Sequence, residues 1–376
     1  MPRMFSFNSL GRYGVYSRAV TGSVFRKLLL PGLMLSLLLL SGCGTVGYYY
    51  QSVHGHLSLM QQSRPIEELL QEAATDPGLR RRLELVLEVR EFASTHLGLP
   101  VNDSYHSYAA LDRKAVVWNV VATPEFSVAP KQWCYPVVGC ASYRGYFDRE
   151  QAQEYAEGLK RDGLDVALEP AAAYSTLGWF DDPLPSTVIN WPQPQLVGLI
   201  FHELAHQQLY AAGDSAFNEA FAEAVEQVGV ERWYSSRDDP AGLERWRKRQ
   251  ERKQGFIRLL LQARAGLIQL YTRDLPPAGR RRQKSASFTR LRQDYLKLKQ
   301  EWGGYDGYDH WFRRELNNAR LASVATYSEW VPAFLTLLQQ SGGDMGSFYQ
   351  ACWRLADLPQ PQRRKALQEL LSRPGS

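Results

Sequence analysis

Ile200-Phe201-His202-Glu203-Leu204-Ala205-His206-Gln207 is followed, after nine intervening residues, by Phe217-Asn218-Glu219-Ala220-Phe221-Ala222-Glu223. His202, Glu203 and His206 form a His-Glu-x-x-His pattern. On a helix, residues i and i+4 share a face, so both imidazoles can reach one ion, and this pattern is the metal-binding signature of zinc peptidases. Val197, Leu199, Ile200, Leu204 and Leu209 recur at helical spacing around it, which predicts a buried helix. Two histidines and a glutamate are costly in apolar surroundings unless they have partners, and a metal supplies them. The helix is expected to begin near Pro194 and to close at Gly213. Asp214 or Ser215 then caps a second helix, expected to carry Phe217 to Val228 and to stop near Gly229.

Catalytic zinc commonly takes two histidines and one carboxylate, leaving the fourth position to water. Glu219 and Asp214 compete for the third protein ligand. Asp214 lies at a helix junction, where capping explains it. Glu219 lies on a helix that can return antiparallel to the first, so Glu219 is favoured. Glu223, one turn further, is assigned the carboxylate that accepts the ring N–H of a ligand histidine. Glu203 stands where a general base is needed.

Further out, the chain has 376 residues, 44% hydrophobic and 22% charged, with a formal charge of +5. These are globular values. The charge is modest and no basic-aromatic array accompanies it, so nucleic acid is excluded as a partner. Arg26 and Lys27 precede an apolar run from Leu28 to Leu40, which ends in Leu40-Ser41-Gly42-Cys43. The run is short for a membrane span and of ordinary length for a signal peptide. The segment resembles the lipobox of bacterial lipoproteins. It implies a signal peptide over 1–42, lipidation of Cys43, and a lipid-anchored tether over 43–64. In such lipoproteins Gly44 after the cysteine implies the outer membrane, facing the periplasm. Outside the cytoplasm, Cys134 and Cys140, six apart around Pro136 and Gly139, are expected to form a local disulfide, and Cys352 to be a buried free thiol.

Helical spacing marks residues 65–97, with a break at Asp76-Pro77-Gly78, and again 149–162. Val116 to Ala122 and Asp165 to Leu168 read as strands. Tyr174 to Phe180 reads as an extended segment, a candidate edge for an extended substrate. Residues 240–300 are charged and helical, 310–340 read as one long helix interrupted near Pro332, and 344–372 as one or two more. The expected fold is α+β, mainly α: one domain over 65–376, with a small sheet lobe (65–193), the zinc helices (194–229) and a helical lobe (230–376).

The motif pair resembles the gluzincins, whose aminopeptidase branch carries a similar Asn-Glu-Gly-Phe-Ala segment. The wider chain resembles a bacterial family of predicted aminopeptidases, lipoprotein-like zinc proteins. The shared landmarks are Trp133-Cys134 to Cys140, Tyr143 to Phe147, Ala173 to Phe180, Phe201 to Gln207, Phe217 to Ala222 and Leu316 to Ala319. The resemblance implies zinc-assisted hydrolysis of peptide or protein substrates, with Glu203 moving the proton. A tyrosine or histidine usually steadies the oxyanion in such sites; Tyr327 is the first choice and His310 the second. The chain has no Gly-Ala-Met-Glu-Asn segment, with which gluzincin aminopeptidases hold a substrate's free amine. Aminopeptidase and envelope endopeptidase therefore both remain open, beside a non-catalytic, zinc-stabilised lipoprotein that binds envelope partners. An intact Glu203 favours catalysis, since a purely structural site has no use for a base. Oligomeric state is not legible.

Overall fold

A computed structural model describes residues 47–135, 139–176, 178–325 and 330–372. The chain divides into two units, 1–50 and 51–376. Of the first, residues 47–50 are described, and they are helical. The second is mainly helical with small sheets, the α+β class expected. No helix among the described residues is long and apolar enough to cross a membrane.

The second unit opens with a helix over 51–61 (α1), then β1 (Ser63–Pro65), α2 (Ile66–Gln71) and α3 (Pro77–Leu97). Asp76 starts α3 by accepting a hydrogen bond from Leu79 N at 2.9 Å, with Pro77 in the first turn, as the Asp-Pro-Gly break suggests. The sheet lobe comes next: β2 (Ser107–Ala109), β3 (Val117–Pro124), β4 (Trp133–Tyr135), β5 (Gly139–Ala141), β6 (Arg144–Tyr146), α4 (Arg149–Arg161), β7 (Leu164–Ala171) and β8 (Leu184–Pro185). β3 is the centre of an antiparallel sheet, paired with β6 on one side and β7 on the other, so that Asn119 faces both Gly145 and Glu169. Val121 and Ala167 pack against Ala319 from the C-terminal lobe, while α4 packs along β3 and β7. Burial on both faces explains why Val-Val-Ala-Thr runs on without polar alternation.

A short α5 (Ser186–Ile189) leads to α6 (Gln193–Gln208) and α7 (Ser215–Ser236). The helical lobe then comprises α8 (Pro240–Tyr271), α9 (Pro277–Glu301), α10 (Asp309–Arg313), α11 (Asn318–Ala325), α12 (Val331–Gln340), α13 (Met345–Ala356) and α14 (Gln360–Ser372). The main core joins α3, α6, α7, α12 and α13 through Phe92, Phe201, Phe217, Phe221, Trp233, Phe334 and Phe348. A second cluster, with Phe256, Leu260, Phe288 and Phe312, stitches α8 to α9 and α10.

Several expectations change here. The stretch expected as a tether is, over 51–61, a packed helix: Gln51 Oε1 accepts from Phe147 N at 3.0 Å, and Leu59 joins Ala109, Val116 and Val117 in a core cluster. Gly55 makes this possible, because a Cβ there would lie 2.2 Å from Phe147 Cγ. Within the segment expected from Tyr174 to Phe180, the described residues 174–176 and 178–180 form a loop rather than a strand. The second motif helix, α7, runs past Gly229 to Ser236. Gly229 is an approach point in mid-helix, where a Cβ would meet Phe201 at 2.6 Å and Leu97 at 2.9 Å. Among the described residues, the expected long helix over 310–340 is three helices. Its chain is instead held by polar ties to β7: Asn317 Nδ2 donates to Val166 O and Asn318 N to Asp165 Oδ2, both at 2.9 Å.

Candidate active site

The α6–α7 pair is set by its connection. Asn218 clamps the turn from both sides, its Oδ1 accepting from Ala211 N at 2.7 Å and its Nδ2 donating to Ala211 O at 2.9 Å. Asp214 caps α7 through Phe217 N at 3.3 Å, and its other oxygen pairs with the buried Arg363 of α14 at 2.7 Å. Both carboxylate oxygens of Asp214 thus serve the fold, and it stands outside the group that could hold a metal. Gly213, at φ 78°, completes the turn. A Cβ on Gly139 would approach Gly213 N to 2.8 Å, so the hairpin closed by the Cys134–Cys140 disulfide rests on this same turn.

With the turn fixed, α7 returns along α6 and brings Glu219 to both histidines. Glu219 Oε2 lies 3.3 Å from His202 Nε2 and 3.8 Å from His206 Nε2. One ligand atom from each of His202, His206 and Glu219 lies within 4.8 Å of the others. The two rings stand nearly perpendicular, 4.9 Å apart. The donors fit a metal: ligands about 2.1 Å from a tetrahedral ion sit about 3.4 Å from one another. Behind His202, Nδ1 faces Glu226 Oε2 at 3.2 Å. Gly198, one turn before His202, leaves the room for this contact, since a Cβ there would come within 2.9 Å of Glu226 Oε1.

The electrostatics suit a cation. Burial drives the Glu203 carboxyl up to about 7; the charge on His202 opposes this, and those of Glu219, Asp182 and Glu226 add to it. Burial also holds His206 down at about 4, a neutral ring with a free lone pair. Burial works against protonation of His202, but hydrogen bonds from its ring to Glu219 and Glu226 outweigh it and raise the pKa well above the ordinary value. Glu219 and Glu226 thus flank His202, one at each ring nitrogen, while His206 stays neutral with a lone pair able to ligate.

Two loops border the motif helix. Asn102 Nδ2 donates to Gln207 Oε1 at 2.7 Å, and Gln207 Nε2 to Ser104 Oγ at 3.1 Å. Tyr105 N donates to Asp182 O at 2.7 Å, and Asp182 Oδ2 accepts from Thr176 N at 2.7 Å. Tyr105 holds a left-handed backbone, at φ 65°, beside this helix.

His202, His206 and Glu219 therefore come together, with the buried Glu203 among their charges. Glu223 does not join them. Its Oε1 meets Lys253 Nζ of α8 at 3.0 Å and accepts from Gln227 Nε2 at 3.2 Å. The carboxylate on the His202 ring is Glu226, which sequence reasoning passes over. His310 is exposed on α10, its Nδ1 3.0 Å from Gly307 O. Tyr327 and Cys43 lie outside the described residues. Cys352 is buried and unpaired.

A family model described as a putative aminopeptidase matches residues 47–367. Comparison with curated proteins and with solved structures returns no match.

Proposed function

The chain belongs to that putative aminopeptidase family, and from this premise we propose that it is a zinc-dependent peptide hydrolase of the bacterial cell envelope, acting on the N-termini of peptides. The observation that carries the metal is the convergence of His202, His206 and Glu219 on one point. Two imidazoles and a carboxylate with room for water form the donor set of catalytic zinc. When bound, the ion supplies a Lewis acid for the scissile carbonyl and lowers the pKa of a coordinated water.

The protein's own residues do the rest. Glu226 fixes the ring of His202 from behind, so that Nε2 points at the centre. Burial keeps His206 neutral. Glu203 takes the proton of the attacking water and passes it to the leaving amine; a carboxyl poised near 7 in the metal-free centre is suited to both halves of that transfer. Tyr327 is our choice to steady the oxyanion.

Localisation belongs to the same proposal. The basic flank at Arg26-Lys27, the apolar core and Leu40-Ser41-Gly42-Cys43 support removal of residues 1–42 and a lipid anchor at Cys43, on the outer membrane facing the periplasm. Zinc content and a peptide digest test the reading. Glu219→Ala loses the metal by elemental analysis, and one retained zinc per chain in that variant would remove Glu219 from the ligand set. The wild type cleaves free peptides and spares the same peptides with blocked N-termini. Equal cleavage of both would convert the assignment to an endopeptidase.

A further inference from the structure

Val53 and Leu57 are 58% and 51% exposed, and Trp179 and Phe180 are 69% and 54% exposed. Single exposed apolar residues are ordinary on a protein surface, but these four belong to two segments in contact. Val53 and Leu57 share a face of α1, one turn apart. His56, also one turn on from Val53, carries the Phe180 ring at 4.6 Å. Thr176 ties the loop: its Oγ1 accepts from Phe180 N at 3.1 Å, and its carbonyl accepts from Trp179 N at 3.2 Å. The two aromatic side chains are therefore presented on a braced loop.

The charge pattern is as informative as the exposure. Residues 51–62 contain no Asp, Glu, Lys or Arg, whereas a helix face turned to water ordinarily carries them. Beside the aromatic pair stands the exposed acidic Asp181. Such a face, uncharged along α1 and bordered by one carboxylate, does not attract an anionic surface. It fits the neutral interfacial zone of a bilayer, where Trp side chains settle.

We propose that α1 and the Trp179–Phe180 loop form a bilayer-docking face, through which the mature protein lies on a zwitterionic phospholipid surface. The proposal rests on the envelope reading in one respect, the anchor at Cys43. Seven residues lie between Cys43 and Gln51, and the eight steps from one to the other span at most about 29 Å even when extended. An anchored chain thus holds α1 at the membrane. Gly178 of the same loop lies against Gln207 of α6, 3.6 Å from an added Cβ to the Gln207 side chain. Docking would therefore also set how the metal centre is turned relative to the bilayer.

The test uses the mature chain with Cys43→Ser, which carries no lipid, and vesicles of phosphatidylcholine. Trp179 emission, taken as the difference from Trp179→Phe, shifts to the blue on adding vesicles. Sedimentation shows partition that survives about 1 M salt, where the Debye length is only about 3 Å. Val53→Ser with Leu57→Ser lowers that partition about tenfold or more while circular dichroism is unchanged. An unmoved Trp179 emission overturns the proposal. So does a dimer in solution that the Val53→Ser, Leu57→Ser variant converts to monomer, since the face would then belong to a second copy. Mass spectrometry of the wild-type protein reads the anchor separately: an unlipidated Cys43 defeats the anchor and leaves the Trp179 result to decide docking.

Discussion

Glu226 reaches His202 because of helix arithmetic. Seven residues along an α-helix return to within about 20° of the starting direction, whereas four overshoot by about 40°. Glu226 therefore follows Glu219 more closely than Glu223 does, and Glu223 turns aside to Lys253. A four-residue step along the sequence anticipates an acidic partner for the histidine but misplaces it. Glu226→Ala is expected to weaken metal binding about 10–100-fold in a chelator competition, and Glu223→Ala to change it much less. Equal losses would mean that the two carboxylates act as one network. Asp182 gives a separate prediction for the metal-free protein. Burial raises its carboxyl from 3.8 to about 6. Below about pH 4 it is protonated folded or unfolded; between about 4 and 6 only the folded chain keeps the proton. Stability is thus lost as pH rises through that window, on the order of 3 kcal/mol once above it. Asp182→Asn should melt higher than wild type at pH 8 and show no gain at pH 4; a constant offset between the two melting curves across that range would refute this.

At the scale of elements, legibility in the sequence has physical causes. α3, α4 and the start of α7 were legible because apolar spacing and a capping aspartate coincide there, at Asp76, Asp148 and Asp214, whereas β3, β7 and the motif helix were legible from apolar spacing alone. Gly229 misled because it looks like a stop, while its role is close packing of α7 on Phe201 and Leu97. α1 was hidden because its uncharged, glycine-containing sequence lacks the polar face of an ordinary surface helix. Gly55 carries that helix onto Phe147. Gly55→Ala should lower stability by about 1–3 kcal/mol by forcing Phe147 aside. Gly266→Ala in α8, where a new Cβ meets nothing within 4 Å, should raise it by about 0.5–1 kcal/mol. Denaturant midpoints of the two variants read both signs, and a loss at Gly266 or none at Gly55 would contradict the packing described.

Over the whole molecule, the sheet lobe and the helical lobe meet the motif helices at defined points: the disulfide hairpin on Gly213, Arg363 on Asp214, and the 102–105 and 176–182 loops along α6. The class and the central site were legible because one five-residue pattern and its downstream glutamate lie on adjacent helices. The framing contacts join residues far apart in the chain, such as Asp214 with Arg363, and no local periodicity reports them. All of them converge on a centre proposed to bind zinc and to hydrolyse peptides through Glu203. The most direct measurement takes zinc content and peptide cleavage from the same samples of wild-type protein and Glu203→Gln. The expected result is one zinc per chain in both, with cleavage of free peptides in the wild type and a rate about 10²–10⁴-fold lower in the variant. A zinc-loaded wild type that cleaves nothing in a peptide library, or a Glu203→Gln protein that cleaves at the wild-type rate, would contradict it.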